Sequence, residues 1–236
     1  MPPTASQFLD VCERGRGRPP VERALLLLGA AHPETSPDAL AALPIGRRDA
    51  RLLDLRERTL GPTLELETRC PACDERLDLD LGVADLLASA PDNHAPAPLE
   101  VDHGGVRATV RLPTSADLAA AETPDALLAR CVVGAHYADG APVEALPDAV
   151  AEAAAQAMAE ADPLADVELA LSCPACDHGW LEPLDVAGFV WAEVEAWAPR
   201  VLHDVHRLAS AYGWAERDVL AMSAWRRDQY LRLLGS

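Results

Sequence analysis

Two copies of Cys-Pro-Ala-Cys, starting at Cys70 and Cys173, constrain the fold of this chain more than any other feature of its sequence. Each copy lies between two segments in which apolar and polar residues alternate, which is the pattern of β-strands with one solvated face. Aligning Cys70 with Cys173 also aligns Val83-Ala84 with Val186-Ala187, at a constant offset of 103 residues (173 − 70). The sequence therefore predicts a duplicated unit of strand, tight turn and strand.

The spacing of the four cysteines favours a shared metal site. A tight Cys-x-x-Cys turn points both sulfurs to one side, and two such turns side by side supply the four corners of a tetrahedron around Zn²⁺, at about 2.3 Å. Four thiolates leave no open coordination position, so the ion would be structural. We predict zinc ligands Cys70, Cys73, Cys173 and Cys176, although 99 residues separate the two turns (173 − 73 − 1).

Other interpretations of the cysteines stay open at this point. A thioredoxin-like redox pair would open a helix after a buried strand, whereas both copies lie between alternating strands. The turns are also compatible with ordinary hairpins that hold no metal. Cys12 and Cys131 lie in apolar helical contexts and are expected to be buried free thiols. His178, two residues after Cys176, could replace a ligand, but the four cysteines already complete the tetrahedron. His203 and His206 lack a third partner of clear spacing.

Composition limits the classes of protein to which the chain can belong. Its 236 residues are 50% hydrophobic, which is enough for a sizeable core. A formal charge of −18, from 38 acidic residues against 20 arginines and no lysine, repels phosphate and disfavours general nucleic-acid binding. No apolar run suits a membrane span and no secretory signal is evident, so we expect a cytoplasmic protein without membrane contact.

We predict an α+β fold that is mainly α-helical, with split zinc-ribbon-like hairpins, a helical insertion between them and helical extensions at both ends. The predicted segments are an N-terminal helical segment at 1–62, a first knuckle hairpin at 63–90, an inserted hairpin with helices at 91–166, a second knuckle hairpin at 167–187 and a C-terminal helical segment at 188–236.

Within these segments the local signals are specific. Residues 46–61 have leucines on one side and charges on the other, which predicts an amphipathic surface helix. A linker is predicted at 91–98 and a hairpin turn at Gly104-Gly105. Residues 123–133 are predicted to be helical, and Pro199 is predicted to kink the long C-terminal helix.

The search for an active site finds no enzyme motif. The chain has no Walker phosphate loop, no Gly-x-Ser-x-Gly elbow and no His-Glu-x-x-His helix. Its many carboxylates fall at helix starts and on polar strand faces, where solvation explains them. We therefore expect a protein that is not an enzyme. Because zinc ribbons often act on nucleic acids, an acidic zinc-ribbon adaptor acting in transcription or on nucleic acid is the second hypothesis, although the acids beside both turns oppose phosphate binding.

Large aromatic side chains concentrate near the C-terminus, where arginines accompany them. Tryptophan and arginine are favoured anchors at protein interfaces, so this segment is predicted to dock a partner. The alternative is that the aromatic residues form only the core of their own subdomain. The predicted contact residues are Trp214, Trp225, Arg226, Arg227 and Tyr230.

Several phrases together resemble the T-even-phage baseplate (hub) protein family, whose relatives also occur with phage-tail-like contractile injection systems. The phrases are LPIGRRDARLLDLRERTLGP before the first CPAC, VRLPTSADL followed by LLARC, DPLADVELALSCPAC, and FVWAEVEAWAPRVLHDVHRLASAYGWAERDVLAMSAWRRDQYLRLL, which is the most specific of them.

The resemblance implies a non-enzymatic structural or assembly part of the baseplate of a contractile tail or tail-like particle. Its implied partners are other baseplate, tube or spike proteins, and the implied location is the cytoplasm or the particle itself. The resemblance does not imply zinc, so the metal prediction depends on the four cysteines of this chain.

Overall fold

The computed structural model describes residues 3–88 and 98–235, which contain eleven α-helices and seven β-strands. They form two compact units: a terminal unit, made of the chain up to Ser36 and from Ala187 onward, and a central unit, Pro37–Val186. Helices combined with small antiparallel sheets confirm the predicted α+β class. Most of the predicted linker at 91–98, and the end of the segment predicted at 63–90, lie outside the described residues.

The elements follow one another in this order. Four helices come first: α1 (Ala5–Gly15), α2 (Pro20–Ala31), α3 (Pro37–Ala41) and α4 (Ile45–Leu60). The first knuckle hairpin and a short helix follow: β1 (Thr63–Arg69), β2 (Arg76–Gly82) and α5 (Val83–Leu87). The insertion contains β3 (Leu99–His103), β4 (Val106–Val110), α6 (Ser115–Ala120), α7 (Pro124–Cys131), β5 (Val132–Tyr137) and α8 (Asp148–Ala161). A 3-10 turn, Pro163–Ala165, then leads to β6 (Val167–Ser172), β7 (Gly179–Leu184), α9 (Val186–Tyr212), α10 (Glu216–Leu220) and α11 (Ala224–Leu234).

In the terminal unit, α1 packs on α2 and α9 through aromatic side chains. Phe8 meets Trp197 edge to face, with ring centroids 5.7 Å apart, and the Arg23 guanidinium lies 5.1 Å from the ring centre of buried Trp191. A Cβ at position 15 would overlap the Trp191 ring, so only Gly15 allows this close approach. Cys12 is buried in the same unit, as predicted.

The long helix α9 is continuous through Pro199, where the sequence predicted a kink. It ends as predicted at Gly213, which adopts a φ of 69° and donates its N–H to the Ala209 carbonyl at 2.8 Å. Ser223 then caps α11 by accepting the Arg226 N–H at 3.3 Å.

The inserted segment contains more β-structure than predicted. The hairpin of β3 and β4 turns at Gly104-Gly105, both with positive φ, as predicted. Residues 132 and 133, however, do not continue the preceding helix, because β5 pairs with β4 and makes a three-stranded sheet. Helix α8 covers this sheet through Val150 and Ala154. The β-branched valines gain more from pairing and packing there than from another helical turn.

Helix α4 is also less of a surface helix than its sequence pattern predicts. Arg48, Asp49 and Arg56 are all buried together with the leucine face. The Arg48 guanidinium donates to both oxygens of Asp49 at 2.7 and 3.0 Å, so the two charges neutralise each other. Burial nevertheless raises the pKa of Asp49, against the lowering effect of Arg48. The prediction that solvation explains the many carboxylates is therefore wrong for Asp49.

A distant aspartate caps the start of α4. Pro44 precedes the helix and offers no side-chain cap, so the Gly46 N–H donates instead to Asp162 Oδ2 at 2.9 Å. Asp162 is 1% exposed, and burial raises its pKa. The carboxylate comes so close that a Cβ at Gly46 would overlap Oδ1. This contact ties the start of α4 to the segment just before the second knuckle hairpin.

Replacing Gly46 by alanine should destabilise the central unit, by about 1–3 kcal/mol, because the new methyl group displaces the Asp162 carboxylate. Gly29→Ala in α2 is the matched control, because nothing lies within 4 Å of the added methyl group and alanine favours a helix by up to about 1 kcal/mol. Urea unfolding of both variants gives the comparison, and equal stability of the two would contradict the packing described.

A third buried carboxylate, Asp117, organises the insertion. It accepts hydrogen bonds from Arg111 at 2.6 and 2.9 Å and from Arg130 at 3.3 Å, and it forms a capping box with Thr114 at the start of α6. The hydrogen bond from Arg111, opposed by burial and helped by Thr114, holds the pKa of Asp117 well below its usual range. This ionised side chain joins α6, α7 and the segment that follows β4.

The depressed pKa predicts how stability depends on pH. The ionised Asp117 carboxylate stabilises the fold fully above about pH 3.9, the pKa of aspartate in the unfolded chain. This stabilisation is lost as the pH falls towards the lower pKa of Asp117 in the folded protein. Asp117→Asn should therefore cost about 1–3 kcal/mol of unfolding free energy at about pH 7, and clearly less near about pH 2.5. Asp102→Asn is the control, because the ion pair of Asp102 with Arg107 is exposed and contributes about 0–1 kcal/mol. Urea titrations at both pH values test this, and a penalty that does not change with pH would contradict it.

Candidate metal centre

Each Cys-Pro-Ala-Cys turn is held by the same backbone hydrogen bonds. In the first, the Cys70 N–H donates to the Glu75 carbonyl, and the Asp74 N–H donates to the Cys70 carbonyl, both at 2.9 Å. The second copy repeats both bonds at the same length with Cys173, Asp177 and His178. The turn requires a left-handed residue after the second cysteine, and Asp74 and Asp177 adopt φ values of 61° and 58° there. The predicted duplication is thus present in the backbone.

The structure brings the two turns together. The sulfur of Cys70 lies 3.7 Å from that of Cys176, and the sulfur of Cys73 lies 3.6 Å from that of Cys173. All four sulfur atoms are within 4.8 Å of one another. A regular tetrahedron with metal–sulfur bonds of about 2.3 Å has edges of about 3.8 Å, so this arrangement has the size of a four-thiolate site.

Two of the four clustered cysteines are buried and two are exposed. Cys70 and Cys173 are 2% and 1% exposed and pack with Leu77 and Trp180, whereas Cys73 and Cys176 are exposed. The sheltered pair lies at the base of the two turns and the exposed pair at their tips. One side of the cluster is therefore dry and the other is open to an incoming ion.

Glu182 links the two hairpins beside the cysteines. One of its oxygens, Oε2, accepts from the Thr68 hydroxyl of β1 at 3.0 Å and from the Trp180 indole of its own hairpin at 2.9 Å. Sequence reasoning missed this link. The signal for it was the offset of 103 residues, which aligns Trp180 and Glu182 with Leu77 and Leu79 of the first copy.

The proximity of the thiols perturbs their ionisation. Burial opposes the thiolate of Cys70, but hydrogen bonds from the backbone of Ala72 and Cys73, and from neighbouring thiols, lower its pKa to about 7. The backbone of Glu75 favours a thiolate at Cys73, yet the neighbouring cysteines and burial raise its pKa to about 12. A negative charge is therefore favoured at Cys70 over Cys73, and a bound cation would displace the proton that Cys73 retains.

These residues can hold one metal ion. Sulfur ligands favour soft or borderline cations, and four of them complete a tetrahedral coordination shell. His178 is not among the four clustered residues, and its ring is stacked 6.2 Å from that of Trp180.

The structure separates the predicted partner-contact residues into two groups. Trp214 and Tyr230 pack together with Tyr212, with ring centroids 4.6 to 5.9 Å apart, and form an aromatic cluster. Trp225 is 72% exposed and Arg226 is exposed. Arg227 differs from the prediction, because it is 5% exposed and donates to the Met222 carbonyl at 3.4 Å. Its position in α11 turns it inwards, so it is not part of the exposed surface.

Along the described ranges, no helix combines the length and the apolar character needed to span a membrane. In a comparison with known protein families, the family described as T4 bacteriophage base plate protein matches residues 30–189 of this chain. No curated protein and no solved structure matches the chain.

The matched region contains the whole central unit, with both knuckle hairpins and the insertion between them. The C-terminal phrase quoted above lies mostly beyond it. The match covers more than half of the 236 residues, and it supports a structural role in a phage baseplate. The chain belongs to the T4 bacteriophage base plate protein family.

Proposed function

We propose that this protein is a non-enzymatic structural or assembly component of the baseplate of a contractile phage tail or phage-tail-like injection particle, stabilised by a structural zinc ion. The observation that carries the proposal is the family match over residues 30–189. Its partners would be other baseplate, tube or spike proteins, and it would be made in the cytoplasm and incorporated into the particle.

The chemistry of the cysteine cluster supports a structural role. A metal ion held by four thiolates has no position at which a substrate or an activated water could bind. The buried charges of the central unit serve the fold as well, since Asp117 joins helices and Asp162 caps one. These features suit a rigid building block.

Zinc is the ion that best fits the four cysteines. It accepts tetrahedral thiolate coordination, and each Cys-x-x-Cys turn supplies two ligands at the spacing typical of zinc knuckles. The bound ion would join two hairpins that are 99 residues apart in the chain (173 − 73 − 1), so its binding energy would contribute directly to folding of the central unit.

The protein purified without chelator should contain one zinc ion per chain, measured by elemental analysis, and Cys173→Ser should lose it together with much of the thermal stability of the central unit. Cys131→Ala is the control, because this buried thiol lies outside the cluster and its loss leaves all four ligands in place. Zinc retained at full stoichiometry in Cys173→Ser, or absent from the wild-type protein, would contradict the assignment.

The second hypothesis, an acidic zinc-ribbon adaptor acting in transcription or on nucleic acid, has weaker support. On the outer face of the first hairpin, Glu65 faces Asp80 and Glu67 faces Asp78 across the strands. This arrangement places negative charge beside the metal centre, where a nucleic-acid-binding ribbon needs positive charge.

Sedimentation from the native host tests the role in the particle. An epitope-tagged protein should sediment with particles that contain sheath and tube, because a baseplate component remains attached to them. If the tagged protein stays at the top of the gradient while sheath-bearing particles form normally, the proposal of a permanent component is wrong. If, in addition, deletion of the protein leaves particle formation unchanged, an assembly role is excluded too.

A further inference from the structure

We propose that the outer face of α11, formed by Trp225, Arg226, Arg232 and Leu233, docks into an apolar groove with an acidic rim on another protein of the particle. This inference rests on the proposed function and names the chemistry of the partner. It also replaces the contact set expected from sequence, because Trp214, Arg227 and Tyr230 take a different role.

The inner side of α11 fixes the helix in place. Arg227 is buried, and Tyr230 meets Trp214 and Tyr212 edge to face, with ring centroids 4.8 and 5.9 Å apart. Arg227 and Tyr230 lie three positions apart in α11 and therefore share one side of the helix. They support the helix from within, so its opposite side is presented in a defined orientation.

The outer side carries two large apolar side chains. Trp225 is 72% exposed and Leu233 is 65% exposed. At about 1.5 Å per residue they stand about 12 Å apart along the axis, and at about 100° per residue the four outer residues fall within an arc of about 120°. Apolar anchors two turns apart on one side of a helix are the pattern of helix-in-groove recognition.

The charges on this face define the partner. Within the part of the chain that the structure describes, Arg226 has no ion pair, and Arg232 pairs only with the half-exposed Asp228 at 2.8 Å. Such an exposed pair contributes little, so a partner carboxylate can replace Asp228. The outer side of the helix carries Arg226 and Arg232 against Asp228, in a chain of net charge −18. It is thus a local positive site that selects an acidic surface.

Protein is favoured over nucleic acid as the occupant. Leucine cannot stack on a base as an aromatic ring does, and an exposed leucine at the far end of the face gains from an apolar pocket. Arg226 and Arg232 can pair with carboxylates at the rim of such a pocket.

Variants of the whole chain test the contact by co-sedimentation with particles from the native host. Trp225→Ala, Leu233→Ala, and Arg226→Glu combined with Arg232→Glu should each reduce the particle-bound fraction at least about tenfold. Arg226→Lys with Arg232→Lys should retain most of it, because the charge is kept. Arg217→Glu is the control, since its side chain is 87% exposed on neighbouring α10 and lies outside the face. Near-ultraviolet circular dichroism of the aromatic cluster confirms that each variant is folded.

A photo-crosslinking amino acid, benzoylphenylalanine, placed at position 225 identifies what the face touches. The proposal is supported by a crosslink to a peptide of a particle protein that contains aspartate or glutamate. This crosslink should be lost when Arg226 and Arg232 are both changed to glutamate. A crosslink to nucleic acid, to a second copy of this chain or to a peptide without acidic residues overturns it, as does the absence of any crosslink in particles that contain the protein.

The two proposals fail in different ways. If the wild-type protein itself does not sediment with particles, the proposed function as a permanent component fails. If the wild-type protein and every variant of the α11 face sediment equally well, the baseplate function stands and only the docking face is wrong.

Discussion

Four sulfur atoms from two hairpins lie within 4.8 Å of one another, and the arrangement of the central unit depends on that approach. Bringing together two turns separated by 99 residues costs chain entropy, and ionised thiols at this distance repel one another. The Glu182 link and the packing of Leu77 and Trp180 around Cys70 and Cys173 offset part of this cost. A tetrahedral cation would offset far more, because it converts mutual repulsion into four attractive bonds.

Buried charges then connect the remaining parts of the central unit. Asp162 reaches from the segment before the second hairpin to the start of α4, and Asp117 joins Arg111 and Arg130 around α6 and α7. Asp162 and Gly46 are 116 residues apart in the sequence, whereas the arginine partners of Asp117 are 6 and 13 residues from it. Removing one partner would leave a charge buried without compensation, which is costly. This dependence on polar contacts favours one arrangement of the insertion over other packings of its small, alanine-rich helices.

The duplicated hairpins share a backbone but differ on their outer faces. Both keep the same turn hydrogen bonds and the same helical start after the second strand. In the first hairpin the outward strand positions hold four acids, whereas the second hairpin keeps only one acid at the equivalent positions. The aligned pairs are Glu65 with Glu168, Glu67 with Ala170, Asp78 with Leu181 and Asp80 with Pro183. The Cys-Pro-Ala-Cys turns therefore keep the same residues in both copies, while the outer strand faces do not.

The sequence by itself determined the duplication, both knuckle hairpins, the Gly104-Gly105 turn and the end of α9 at Gly213, because each depends on local periodicity or on the conformational freedom of one residue. The repeated spacing predicted that the four cysteines cluster, and the tertiary structure brings them within 4.8 Å of one another. Only the tertiary structure decided that Val132 and Val133 join a sheet, that Arg48, Asp49 and Arg227 are buried, and that Trp225 faces outwards while Trp214 supports the helix from within. Strand pairing and the burial of charged side chains depend on the elements that pack around them, and no local pattern in the sequence identifies those elements.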